Sequence, residues 1–110
     1  MSRMNMKHKQ QYRQGDVLFE YVDAVPSDAK KQPASRQIVV ALGEATGHHH
    51  AVETEDPADW WKHADETFVK VTKPAKVTHQ EHAPFTLKRG IVRVSRQREY
   101  TPEAIRRVAD

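Results

Sequence analysis

The chain has 110 residues, 37% hydrophobic and 30% charged, with a formal net charge of +3, seven histidines and no cysteine. This length fits one small soluble domain, and no apolar run nears the roughly 20 residues that span a bilayer. The lack of cysteine excludes a disulfide framework and thiolate metal ligands.

Charge divides the chain into three parts. Residues 1–13 carry four basic side chains and no acid, residues 14–87 net −5, and residues 88–110 net +4. An acidic middle favours cations over phosphates. Residues 1–13 read as a flexible basic arm without the apolar segment of a secretory signal, so the expected location is cytoplasmic. Residues 14–110 read as a single β domain.

Within that domain, Gly15-Asp16 opens Val17–Val22, a β-branched and aromatic run that predicts a strand. Pro26–Ala34 carries two prolines and predicts a loop. Arg36–Leu42 is nearly all apolar after Gln37 and predicts a central strand. A strand is expected at His48–Glu53, then a loop or short helical turn over residues 54–65, with Trp60-Trp61 across an open end of the core. Further strands are predicted at Glu66–Thr72, Ala75–His79, Phe85–Leu87 and Ile91–Arg96. Thr101 as N-cap with Pro102 behind it predicts a short C-terminal helix ending near Ala109. Six or seven short strands with frequent turns predict an all-β fold, a small β-barrel or sandwich, closed by that helix.

Histidine placement carries the functional reading. Five of the seven fall in Gly47-His48-His49-His50 and His79-Gln80-Glu81-His82. Neutral imidazole is the commonest protein ligand for transition metals. On a strand His48 and His50 face the same way, and a tight turn brings His79 to His82. If the fold sets these pairs opposite each other, His48, His50, His79 and His82 form a metal site, for Zn2+ first and Fe2+ or another divalent transition metal second. Three ligands would leave a position for activating water or O2, whereas four would close the shell. Glu81 and Glu53 are the candidate catalytic carboxylates, as general base or as partners orienting an imidazole.

The stretch Gly43 to Glu53 is similar to the first metal motif of cupins: a glycine, an H-x-H and a following glutamate in a small β-barrel. That resemblance implies His48 and His50 as ligands and Glu53 as a third. Two residues separate His50 from Glu53, where cupins usually have three or four, and the second cupin motif is absent. The chain also resembles a group of small uncharacterised bacterial and phage-associated proteins. It does so through Gln14-Gly15-Asp16-Val17, Thr46-Gly47-His48-His49-His50, His79-Gln80-Glu81-His82 and Gln97-Arg98-Glu99-Tyr100.

Other readings concern partners. A small-molecule substrate would accompany a catalytic metal. A basic arm and a basic last strand (Lys88, Arg89, Arg93, Arg96, Arg98) offer a non-catalytic module for single-stranded nucleic acid or a protein partner. Exposed edge strands would favour a homodimer. No membrane partner is expected.

Overall fold

A computed structural model describes residues 11–42, 48–80 and 82–96, and every regular element among them is a β-strand. In chain order they are β1 (Gln11–Gln14), β2 (Val17–Val22), β3 (Lys30–Leu42), β4 (His49–His63), β5 (Glu66–Val71), β6 (Ala75–Thr78), β7 (Phe85–Leu87) and β8 (Gly90–Arg96). All ladders are antiparallel and join into one curled sheet of order β1-β2-β8-β5-β4-β6-β7, with β3 on the other edge of β4. This is a small barrel-like all-β fold, as the strand spacing predicts. No helix among the described residues is long and apolar enough to cross a membrane. The predicted C-terminal helix and residues 1–10 of the arm lie outside the described residues.

Strand β4 organises the molecule. Its first part, Ala51–Glu53, pairs with Thr78–Lys76 of β6, and its last part, Trp60–His63, pairs with Val69–Glu66 of β5. Between the two, residues 54–59 carry the strand from one neighbour to the other. The expected loop over 54–65 is therefore strand through His63, and its Pro57 and acidic residues mark the crossover. Strand β3 likewise starts at Lys30, inside the segment expected to be a loop. Among the described residues it pairs only with β4, and it shifts register between Gln32 and Ser35, around Pro33. An edge strand with a bulge tolerates a proline that cannot donate to the ladder. At the other end of the chain, residues 11–13 of the expected arm belong to β1, pairing with Glu20–Leu18.

Alternation sends one face of each strand inward. Val17 and Phe19, Ile38, Val52, Val69 and Val71, Val77, Leu87, and Val92 and Val94 are all nearly inaccessible and form one core. Burying each such side chain contributes roughly 1.5–3 kcal/mol. The two ends of the strand order meet through aromatic rings. Tyr12 of β1 stacks on Phe85 of β7 at 5.2 Å, and Phe19 meets the same ring edge-on at 5.2 Å. Trp60 packs against this core and donates from Nε1 to the Pro33 carbonyl at 2.8 Å. It thereby fastens the β3 bulge to β4.

Candidate metal centre

The β4–β6 register determines which histidines meet. Ala51 stands opposite Thr78. One further step along this antiparallel ladder sets His50 opposite His79, on the face that Val52 and Val77 share. Their ring centroids are 4.3 Å apart. Past β6 the chain turns, and His82 returns to within 4.6 Å of His79 and 6.2 Å of His50, its ring nearly parallel to that of His50. His48, just before β4, meets His79 edge-on at 5.6 Å. The fold thus brings together all four histidines singled out by the sequence: His50, His79 and His82 are mutual neighbours, and His48 lies against His79. With a metal–nitrogen bond of about 2.0–2.1 Å, an imidazole centroid stands roughly 3.2 Å from the ion, so two tetrahedral ligands have centroids roughly 5 Å apart. The observed spacings bracket that value.

Donor directions are a separate matter. Among the described residues, no group of three or more His, Asp or Glu side chains has its donor atoms placed to hold a metal ion. Two contacts account for part of this. The His79 Nδ1 accepts the His82 backbone N–H at 3.3 Å. The His82 Nε2 points at Gly15, where an added Cβ would lie only 2.8 Å away. A hydrogen bond at 3.3 Å is at the long end of the range, so that bond by itself restrains the His79 ring weakly.

His50 is the anchor of the group. Its side chain is 1% exposed, and Nδ1 lies 2.8 Å from Gln14 Oε1. Gln14 is itself buried and donates from Nε2 to the Ala83 carbonyl at 3.0 Å and, more weakly, to that of Val77 at 3.5 Å. With the amide nitrogen committed to two carbonyls, Oε1 is the end that faces the imidazole. His50 therefore carries its proton on Nδ1 and presents the Nε2 lone pair. A partner that fixes the tautomer in this way is what metal-ligating histidines require. Burial pushes the imidazole pKa down to about 4, with His79 the next cause and Asp16 opposing. The ring is neutral at physiological pH, as a ligand must be.

The β1–β2 hairpin supports the group with three consecutive residues. Gln14 holds His50, and Gly15 lies against His82. Asp16 places Oδ2 at 3.5 Å from Nε of Arg96, on β8. Gly15 has a φ of 64° at the first position of a two-residue turn, the left-handed conformation that glycine adopts without cost. Reasoning from sequence missed Gln14, Gly15, Asp16 and Arg96 as site residues. The signal in the sequence is the Gln14-Gly15-Asp16-Val17 stretch, which by itself indicates a strand opening and carries the resemblance.

The carboxylates are distributed differently from expectation. Glu53 is exposed, and its Oε2 accepts from Gln37 at 3.4 Å and Thr78 at 3.3 Å. Alternation along β4 puts it on the face opposite His50, away from the histidine group. Glu81 lies outside the described residues, as do Arg98 and Tyr100. Asp16 is the carboxylate that the described structure brings to the site. Of the basic last strand, Arg93 is paired with Glu20 and lies 4.0 Å from Glu66, and Arg96 faces Asp16.

The profile of one protein family, described as a domain of unknown function (DUF8820), matches residues 13–97. The chain belongs to that family. The match runs from the residue before Gln14 to the residue after Arg96, so this DUF8820 domain contains the whole histidine group and its supports. No curated protein and no solved structure matches the chain.

Proposed function

We propose that this DUF8820 domain is a metal-binding protein whose centre is His50, His79 and His82, with His48 at the rim. Zinc is the first choice of ion and a ferrous or other divalent transition ion the second, since an all-imidazole donor set suits these metals. The observation that carries the reading is the packing of these rings around a buried His50 whose tautomer Gln14 fixes. Three clustered ligands, with His48 at the rim against His79, favour a centre with an exchangeable position over a closed structural one. When bound, a zinc ion would supply Lewis acidity for activating water, and a ferrous ion would in addition supply electrons for binding O2. The chain's own part is to hold His50 rigid from the Gln14 side and to offer Asp16 as a carboxylate beside the site. Glu81, between His79 and His82 in the chain, is the second candidate for proton transfer. The H-x-H that resembles the cupin motif belongs to this reading through His48 and His50, without Glu53 as a ligand.

The test is elemental analysis of untagged protein purified without a metal column, beside His48→Ala/His50→Ala and His79→Ala/His82→Ala variants. About one transition ion per chain, lost in both variants, is expected for one shared centre. Absence of stoichiometric metal after reconstitution with zinc and with ferrous iron would refute the proposal.

A further inference from the structure

Strands β5 and β8 end together on a cavity that the histidine group does not use. Their ladder closes with Lys70 opposite Ile91 and Val71 opposite Gly90. At that end Lys70, Val71, Thr72, Arg89, Gly90 and Ile91 line a cavity of about 330 Å³, within the size range of small-molecule sites. From Gly90, β8 runs about 20 Å, at about 3.4 Å per residue, to Arg96 beside Asp16. The cavity therefore lies at the other end of β8 from the hairpin that supports the histidines. Its floor is apolar: Val71 is buried, Ile91 is half-buried and Gly90 presents bare backbone. Gly90 has a φ of 147°, and an added Cβ would meet the Tyr21 ring at 3.1 Å. The Tyr21 hydroxyl accepts the Lys88 N–H at 2.7 Å, which pins the turn that carries Arg89. The rim is cationic. Arg89 stands two residues before Ile91, the partner of Lys70, so Lys70 and Arg89 are diagonal neighbours with Cβ atoms about 7–8 Å apart, within reach of each other for side chains this long. Both are exposed, and among the described residues neither forms an ion pair. Lys73, one residue past Thr72, is by contrast engaged by Asp56 at 3.1 Å and Glu55 at 3.9 Å.

We infer that this cavity binds a small organic anion: a carboxylate or phosphate group held between Lys70 and Arg89, joined to a flat apolar body that lies on Ile91 and the Gly90 backbone. The two parts of the ligand answer the two parts of the site. The guanidinium offers a planar fork to the anionic oxygens and the ammonium a point charge. Exposed charges alone hold an inorganic ion weakly, so affinity requires the apolar floor as well. Thr72, on the same face as Lys70, adds a hydroxyl for the anionic group. The site is independent of the histidine centre and of any metal there.

The experiment titrates the full chain, without added metal, with phenyl phosphate and benzoate, and with inorganic phosphate and acetate as the same anionic groups without the ring. Amide 15N–1H spectra follow each titration. Saturable shifts are expected at Val71, Thr72, Gly90 and Ile91 with at least one aryl anion, which should bind at least about tenfold tighter than its ring-free counterpart. Lys70→Gln/Arg89→Gln should weaken that binding at least about tenfold. Lys30→Gln/Lys62→Gln removes two charges from an exposed pair that stands opposite on β3 and β4, and should leave the binding within about twofold of wild type. Absence of saturable shifts with both aryl anions, shifts confined to other residues, equal affinity for the ring-free ions, or equal losses in the two double variants would each overturn the inference. If Lys70→Gln/Arg89→Gln does not fold, the wild-type shift map and the ratio of aryl to ring-free affinity decide by themselves.

Discussion

Replacing Gln14 by Leu keeps much of the side-chain volume and removes all of its hydrogen bonding. The His50 Nδ1–H would then be buried without an acceptor, at a cost of about 1–3 kcal/mol. The Ala83 carbonyl belongs to an exposed residue and can be rehydrated, so losing its bond adds about 1 kcal/mol at most, and the 3.5 Å contact to Val77 adds little. The expected loss is about 2–3 kcal/mol. At about 4–8 °C per kcal/mol for a domain of this size, the melting temperature should drop by roughly 8–24 °C. Metal affinity should fall about 10–100-fold, the usual effect of removing a group that orients a ligating histidine. Gln14→Glu separates the two effects: it keeps an acceptor for His50 but cannot donate to the Ala83 and Val77 carbonyls, so stability should suffer more than metal affinity. Urea denaturation and calorimetric metal titration measure both. A Gln14→Leu protein within about 0.5 kcal/mol of wild type, with unchanged metal affinity, would refute the assignment of Gln14 as the support of His50.

Gly15→Ala should cost about 1–2 kcal/mol for the left-handed backbone and more for the contact with His82, 2.8 Å from the new methyl. In a His82→Ala background only the backbone cost should remain, so equal losses in the two backgrounds would contradict the contact. Ala64 has a φ of 54° in the β4–β5 turn, and Ala64→Gly should raise stability by up to about 1 kcal/mol; a lower melting temperature would count against this. The depressed His50 pKa links stability to acid. The unfolded imidazole takes up a proton below about 6.5, the folded one only near 4. The His50 contribution is therefore fully present above 6.5 and lost as pH falls from 6.5 toward 4, by up to about 3 kcal/mol. His50→Leu should flatten this part of the pH–stability profile measured by urea denaturation, and an unchanged slope would exclude His50 as its source.

Much of the fold was legible because period-2 alternation is a strong local signal. Val17–Val22 and Phe85–Leu87 fall where the pattern places them, and β5, β6 and β8 differ from it by about a residue at an end. The crossover of β4 was not legible. Glu55, Asp56 and Pro57 have the composition of a turn, and only pairing with two different neighbours makes the segment a strand. The polar start of β3 was hidden for a similar reason, since an exposed edge strand lacks an apolar face to read. At the site, ligand-type residues stood out by their chemistry. Their supports did not, because a glutamine becomes a tautomer lock only when the fold buries it against an imidazole. Arg96 looked like one charge on a basic strand, and its inward direction follows from the register of β8 against β2 and β5 rather than from composition.

The Gln14–Ala83 bond spans 69 positions of the chain, and it sits beside a histidine pair whose members come from β4 and from just beyond β6. No local piece of the sequence contains the site. Contacts of such long sequence separation must overcome loop-closure entropy before they are rewarded, so the histidine group becomes competent only at the end of folding. A chain still emerging from the ribosome offers scattered imidazoles and no chelating cavity until β6, the turn carrying His82 and the β1–β2 hairpin have all docked. On the proposed function, metal loading would belong to the finished molecule, and acquisition of the ion would report that folding is complete.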